Sequence, residues 1–126
     1  TLFRSGGYLM INMVYEVLKP LNVPMKWNKF PDLNTSKTVL SYHFFNEGEL
    51  LHGDGESVEE GGALQVDIYS KTDYSRIVNQ TKKLLKDAHF YFESGDDTTE
   101  TLDNTTMIYH KVLIFNYIES EVMKNG

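Results

Sequence analysis

The amino-acid sequence predicts an α+β domain: a mostly antiparallel sheet with two helices packed on one face, in the order α-β-β-β-α-β-β. Three observations lead there. Two segments, near residues 10–21 and 72–88, place apolar residues at helical spacing. Several others are β-branched and aromatic or alternate apolar with polar residues. No internal repeat or interdomain linker breaks the series.

In chain order, Ile11, Val14, Tyr15, Leu18 and Leu21 put one apolar face on a short helix, and Pro20 falls where that helix should stop. Val23–Trp27 follows as a short extended piece, which Pro24 confines to a sheet edge. Asn28–Lys37, with Pro31, Asp32, Asn34 and Ser36, reads as a loop. Thr38–Phe45 is a strand. Glu47–Gly62 is a loop or a loosely paired hairpin. Ala63–Ser70 is a half-buried strand, with Leu64, Val66 and Ile68 facing one way and Gln65 and Asp67 the other. Thr72 and Asp73 are suited to cap a second helix running to Ala88, whose apolar stripe is Tyr74, Ile77, Val78, Leu84, Leu85 and Ala88. His89–Glu93 is a strand, Ser94–Thr105 a polar loop, and Thr106–Ile118 a long closing strand.

The closing strand is apolar on both faces. Tyr109, Leu113, Phe115 and Tyr117 lie on one, and Ile108, Val112, Ile114 and Ile118 on the other. A central strand with helices on one side and a neighbouring subunit on the other would explain this. So would a strand sandwiched inside its own domain.

Composition narrows the function. The 126 residues suit one domain. Residues 1–9 lack periodicity and read as an expression-derived or upstream leader, which leaves residues 10–126 as a single α+β domain. With no cysteine, disulfides, thiolate nucleophiles and cysteine-based zinc sites are excluded. The net charge of −6 argues against a protein that grips nucleic-acid phosphates, although an acidic surface can line a passage through which DNA slides. No apolar run approaches the ~18 residues of a membrane-spanning helix.

Residues 47–62 contain six acidic residues, Glu47, Glu49, Asp54, Glu56, Glu59 and Glu60, and five glycines, with no lysine or arginine. His52–Glu56 does not have the ligand spacing of a calcium loop. An exposed loop, a charged rim or a lumen element suits the segment better. Of the four histidines, His43 and His110 fall in predicted strands, where a structural role is expected, and no pair has metal-ligand spacing. No nucleophile elbow, phosphate-binding loop or dinucleotide fingerprint occurs. No catalytic residue, cofactor or metal is therefore assigned.

The order of an N-terminal helix, V-P-x-x-W-N-K-F-P, a strand, an acidic loop, Q-V-D-I-Y-S-K-T-D-Y-S and the closing Y-H-K-V-L-I-F-N-Y resembles the tail-completion, or tail-terminator, proteins of long-tailed bacteriophages and prophages of Gram-positive hosts. The resemblance covers about Met10 to Val122. It implies a non-enzymatic virion protein made in the bacterial cytoplasm. Such a protein forms a homo-oligomeric ring, typically of six subunits, at the head-proximal end of the tail. The ring caps the tail tube and meets the head-side connector, and DNA passes through its lumen. Under this reading residues 47–60 are a candidate lumen or interface loop, and Tyr109, Leu113, Phe115 and Tyr117 a candidate subunit interface. The alternatives are another head–tail joining protein, or a small-ligand-binding domain or small enzyme with a site around His52, Asp54 and Glu56.

Overall fold

The structure is a computed structural model that describes residues 5–29, 32–33, 36–51, 58–102 and 106–123. Its elements are α1 (Ser5–Leu18), a 3₁₀ turn (Lys19–Leu21), β1 (Met25–Trp27), β2 (Thr38–Leu51), β3 (Val58–Ser70), α2 (Ser75–Asp87), β4 (Tyr91–Leu102), β5 (Thr106–Ile118) and α3 (Glu119–Met123). The five strands form one sheet in the order β1-β2-β3-β5-β4. All neighbours are antiparallel except β1, which pairs parallel with β2. The α+β class, the element order and the helices packed on the sheet are as the sequence predicts, with the short α3 in addition.

Helix α1 begins at Ser5 and runs through the boundary expected at Met10, while Thr1–Arg4 lie outside the described residues. Leu9 is exposed and Met10 buried. The buried stripe is Met10, Met13, Val14, Leu18 and Leu21; Tyr15 is exposed and Ile11 half-buried. Both stripes satisfy a 3.6-residue period, and the flexible methionines fill the uneven ground against the sheet. Pro20 falls in the 3₁₀ turn, and Asn22 closes it in the left-handed conformation with φ 56°.

Helix α2 buries Ile77, Val78, Thr81 and Leu85. The Thr81 hydroxyl donates 2.7 Å to the Ile77 carbonyl, which satisfies the one polar group of the stripe. The N-cap is Tyr74, without a side-chain capping bond, rather than Thr72 or Asp73 as expected; Asp73, one residue outside, accepts from the Ser75 amide at 2.8 Å and the Ser75 hydroxyl at 2.6 Å in a local turn. Those two bonds hold the Asp73 carboxyl below its usual range.

Strands β2, β3, β4 and β5 are longer than, or equal to, their sequence-based extents. β2 continues beyond Phe45, and β3 starts at Val58 rather than Ala63. Residues 46–51 and 58–62 are thus a paired hairpin arm. The stretch from Ser94 to Leu102, expected as a polar loop, is strand paired with β5. Its polarity has a positional cause: β4 is an edge strand, exposed at every residue from Tyr91 to Thr101, so no apolar alternation is imposed on it.

The main core lies between the helices and one face of the sheet. Leu40, Tyr42 and Phe44 of β2, Leu64, Val66 and Ile68 of β3, and Leu113, Phe115 and Tyr117 of β5 pack there against α1, α2, Phe90 and Val122 of α3. A small second cluster, Leu33, Val39 and Ile108 with Tyr69 against it, sits on the reverse face.

Candidate functional site

Register places two hairpin arms at opposite ends of the sheet. β3 and β5 pair from Gly61–Ile118 to Ser70–Tyr109. Beyond the first of these pairs, β2 and β3 continue alone to Leu51–Val58. Beyond the second, β4 and β5 continue alone to Leu102–Thr106.

The β2–β3 arm carries four of the six acidic residues singled out in the sequence. Glu49 and Glu60 stand directly across from one another and are exposed; Glu47 and Glu59 are half-buried, and the Ser120 hydroxyl donates to Glu59 at 3.2 Å. Asp54 and Glu56, like His52, lie outside the described residues. Like charges directly across a ladder oppose pairing, while the backbone ladder runs unbroken from Leu51–Val58 to the arm's foot. At that foot the register shifts between Phe45 and Gly48, with Asn46 in the left-handed conformation at φ 54°. Gly62 fits closely there: a Cβ would lie 3.1 Å from the Glu47 Cα, the Phe45 carbonyl oxygen and the Tyr117 hydroxyl.

The four β5 residues nominated as an interface do not stay together at the surface. Leu113, Phe115 and Tyr117 are buried beneath the chain's own helices, and only Tyr109 is exposed. Their face is closed inside the domain because α1 and α2 lie over it. On the reverse face of β5, Ile108 joins the second cluster, while Val112, Ile114 and Ile118 are half-buried.

The reverse face of the sheet also holds a polar network centred on His110. Its Nε2 is 2.8 Å from Asp67 Oδ1 and its Nδ1 is 3.5 Å from Glu100 Oε1, so both ring nitrogens face carboxylates. Gln65 Nε2 donates to both Asp67 oxygens at 3.1 Å, and the Tyr69 ring stacks on the imidazole with centroids 4.1 Å apart. Burial, with Asp67 and Glu100 nearby, pushes the Tyr69 hydroxyl up to about 12. A general base needs a nitrogen turned toward its substrate. Here Nε2 lies within hydrogen-bond distance of Asp67 and Nδ1 lies beside Glu100.

Residues that periodicity did not nominate form an exposed corner at the start of β4. Tyr91 and Phe92 are 52% and 47% exposed despite their size. Lys82 Nζ lies 4.5 Å above the Phe92 ring, a cation–π contact, and Phe92 meets Phe115 edge-on with centroids 5.5 Å apart. Lys82, Lys86, Phe90, Phe92 and Phe115 line a groove of about 370 Å³ between α2 and the edge strand. The Tyr91 hydroxyl donates 2.6 Å to Glu121 of α3, which raises its pKa. The signal in the sequence was the run Phe90-Tyr91-Phe92: consecutive aromatics in a strand cannot all face one core.

Among the described residues no group of three or more His, Asp or Glu could hold a metal ion, and no helix is long and apolar enough to cross a membrane. No protein-family model matches the chain, and no curated protein matches it. Among solved structures it is similar to a chain of the virion of a native gene transfer agent particle, with 10% identity and a TM-score of 0.45 over 83% of this chain and 90% of that one. A likeness that weak decides nothing about function.

Proposed function

We propose that this chain is a structural assembly protein of a long-tailed bacteriophage or prophage. In this reading it forms a ring that caps the tail tube and joins it to the head connector. The observation that supports this most is the placement of two hairpin arms at opposite ends of one sheet. A terminator must present one surface to the tube and a different one to the connector, and a domain with unlike arms at its two ends supplies both. Ring closure uses the lateral edges instead, and a closed heterologous ring leaves no growing end. The resemblance of its element order to that of tail-terminator proteins, read from the sequence, supports the same reading. Its action is steric: the ring occupies the end of the tube and blocks addition of the next tube subunit.

Light scattering across a concentration and salt series, with negative-stain images of any large species, tests the ring. Co-sedimentation with purified tail tubes tests the cap. Closed rings that decorate one end of the tube are expected. A strict monomer at every concentration that leaves tube ends bare would overturn the proposal.

A further inference from the structure

The short helix α3 begins where β5 leaves the sheet. β5 pairs with β3 as far as Ile118–Gly61, and from Glu119 the chain is helical. Beyond Gly61, β3 continues through Glu60, Glu59 and Val58, paired with β2 as the acidic arm. Three successive residues of α3 reach three different parts of the domain. The Ser120 hydroxyl donates 3.2 Å to Glu59 of the arm. Glu121 accepts 2.6 Å from the Tyr91 hydroxyl of the edge strand β4, and Val122 is fully buried in the main core. Successive residues of a helix point about 100° apart, so one turn can hold all three.

The arm is a weak element by itself. A two-stranded hairpin is only marginally stable in water. This one sets Glu49 directly across from Glu60, and like charges in that position oppose pairing. Its foot is irregular: the register shifts between Phe45 and Gly48, and Asn46 sits at φ 54°. Such a bulge bends the strand that carries it. There is also room for movement. A cavity of about 410 Å³ is lined by Asn46, Gly48 and Glu49 on the arm's foot and by Tyr91 and Asn116 on β4 and β5. One line of register, Phe45–Ala63–Asn116–Tyr91, sets these walls level across the sheet.

We propose that α3 is a clasp for the acidic arm. Seated through Val122, it ties the arm to the start of β4. Unseated, it lets the arm turn about its foot into the cavity while the rest of the sheet stays paired. The arm then has two positions, with the hinge at a few residues of its foot. Every part of the device belongs to one chain, so it rests on neither the ring nor the tail-tube role.

Hydrogen exchange of the full-length chain tests the clasp, with the β4–β5 arm at the opposite end as internal control. Val122→Ala unseats the helix. It should speed exchange of the amides in residues 46–51 and 58–62 about tenfold relative to those in residues 96–101 and 106–109. Ser120→Ala combined with Glu121→Ala removes the bonds to Glu59 and Tyr91 and leaves Val122 in the core. It should speed the same amides about threefold, with the centre of the sheet unchanged. Equal acceleration of both arms in Val122→Ala would report only a loss of global stability and would overturn the clasp. So would an acidic arm that the double substitution leaves unaffected. Read at a dilution where light scattering shows single chains, either result leaves the assembly reading in place.

Discussion

On the helix-covered face of the sheet Leu64, Val66, Ile68, Leu113 and Phe115 are closed off from water, whereas the reverse face of the same strands carries Gln65, Asp67, Tyr69 and His110. The difference between the faces lies in how each stays ordered. The covered face gains from the removal of apolar area from water, which is non-directional and large. The reverse face depends on partners at fixed distances, and a polar group that loses its partner there is costly because it is already out of bulk water. Stability is therefore concentrated on one face, and the geometry of strands β3 and β5 is pinned on the other.

The most direct way to break this contrast is truncation on the covered face. Phe115→Ala, which removes a side chain packed against Phe92 and the core, should cost about 3–5 kcal/mol in denaturant unfolding. A loss no greater than that of a polar substitution on the reverse face would mean that the helices contribute little. Asp67→Ala comes next. It leaves Gln65 and one ring nitrogen of His110 unpartnered and should cost about 1–3 kcal/mol in the same measurement. Asp67→Asn, which keeps shape and acceptor, should recover part of that loss.

The foot of the acidic arm sharpens the comparison. Gly62→Ala puts a Cβ against two backbone atoms at 3.1 Å and should cost about 1–2 kcal/mol, whereas Gly48→Ala meets nothing within 4 Å and should change stability by less than about 0.5 kcal/mol. Equal effects would mean that the arm's foot yields freely.

The remaining contrast concerns the tyrosines, one on each face. Burial, helped by Tyr15, pushes the Tyr42 hydroxyl up to about 12, and its O–H donates 3.1 Å to the Ile11 carbonyl on α1. Tyr69 on the reverse face is pushed up to about 12 by burial and then by Asp67 and Glu100. Both phenols are held neutral in the folded chain. Their contribution is complete below the ordinary phenol value of about 10 and is lost as pH rises from about 10 toward 12. Tyr42→Phe should cost about 0.5–1.5 kcal/mol at pH 7 and make the alkaline fall shallower. An alkaline limb identical to that of the unchanged chain would show that Tyr42 does not titrate within the fold.

Local pattern determined a good deal of this protein. The alternation of Leu64, Val66 and Ile68 with Gln65 and Asp67 gave β3 its two faces, and the 3.6-residue spacing in residues 72–88 gave α2. The apolar run Thr106–Ile118 matched β5 from end to end. Such features are legible because a period reports which face of an element is buried, whatever buries it. The polar half of β4 was illegible for the same reason: an edge strand exposed on both faces carries no alternation, so its pairing with β5 lay in backbone bonds that side-chain chemistry does not record. Phase was equally hidden, since both the Ile11–Tyr15 and the Met10–Met13 stripe suit a helix and only the sheet selected the second. Tertiary structure alone decided that Leu113, Phe115 and Tyr117 close the chain's own core, that both nitrogens of His110 meet carboxylates, and that Tyr91 and Phe92 stand level with the arm's foot across the sheet. Each of these depends on which strand lies beside which and in what register, and that order is fixed by contacts between residues tens of positions apart, beyond the reach of any local period.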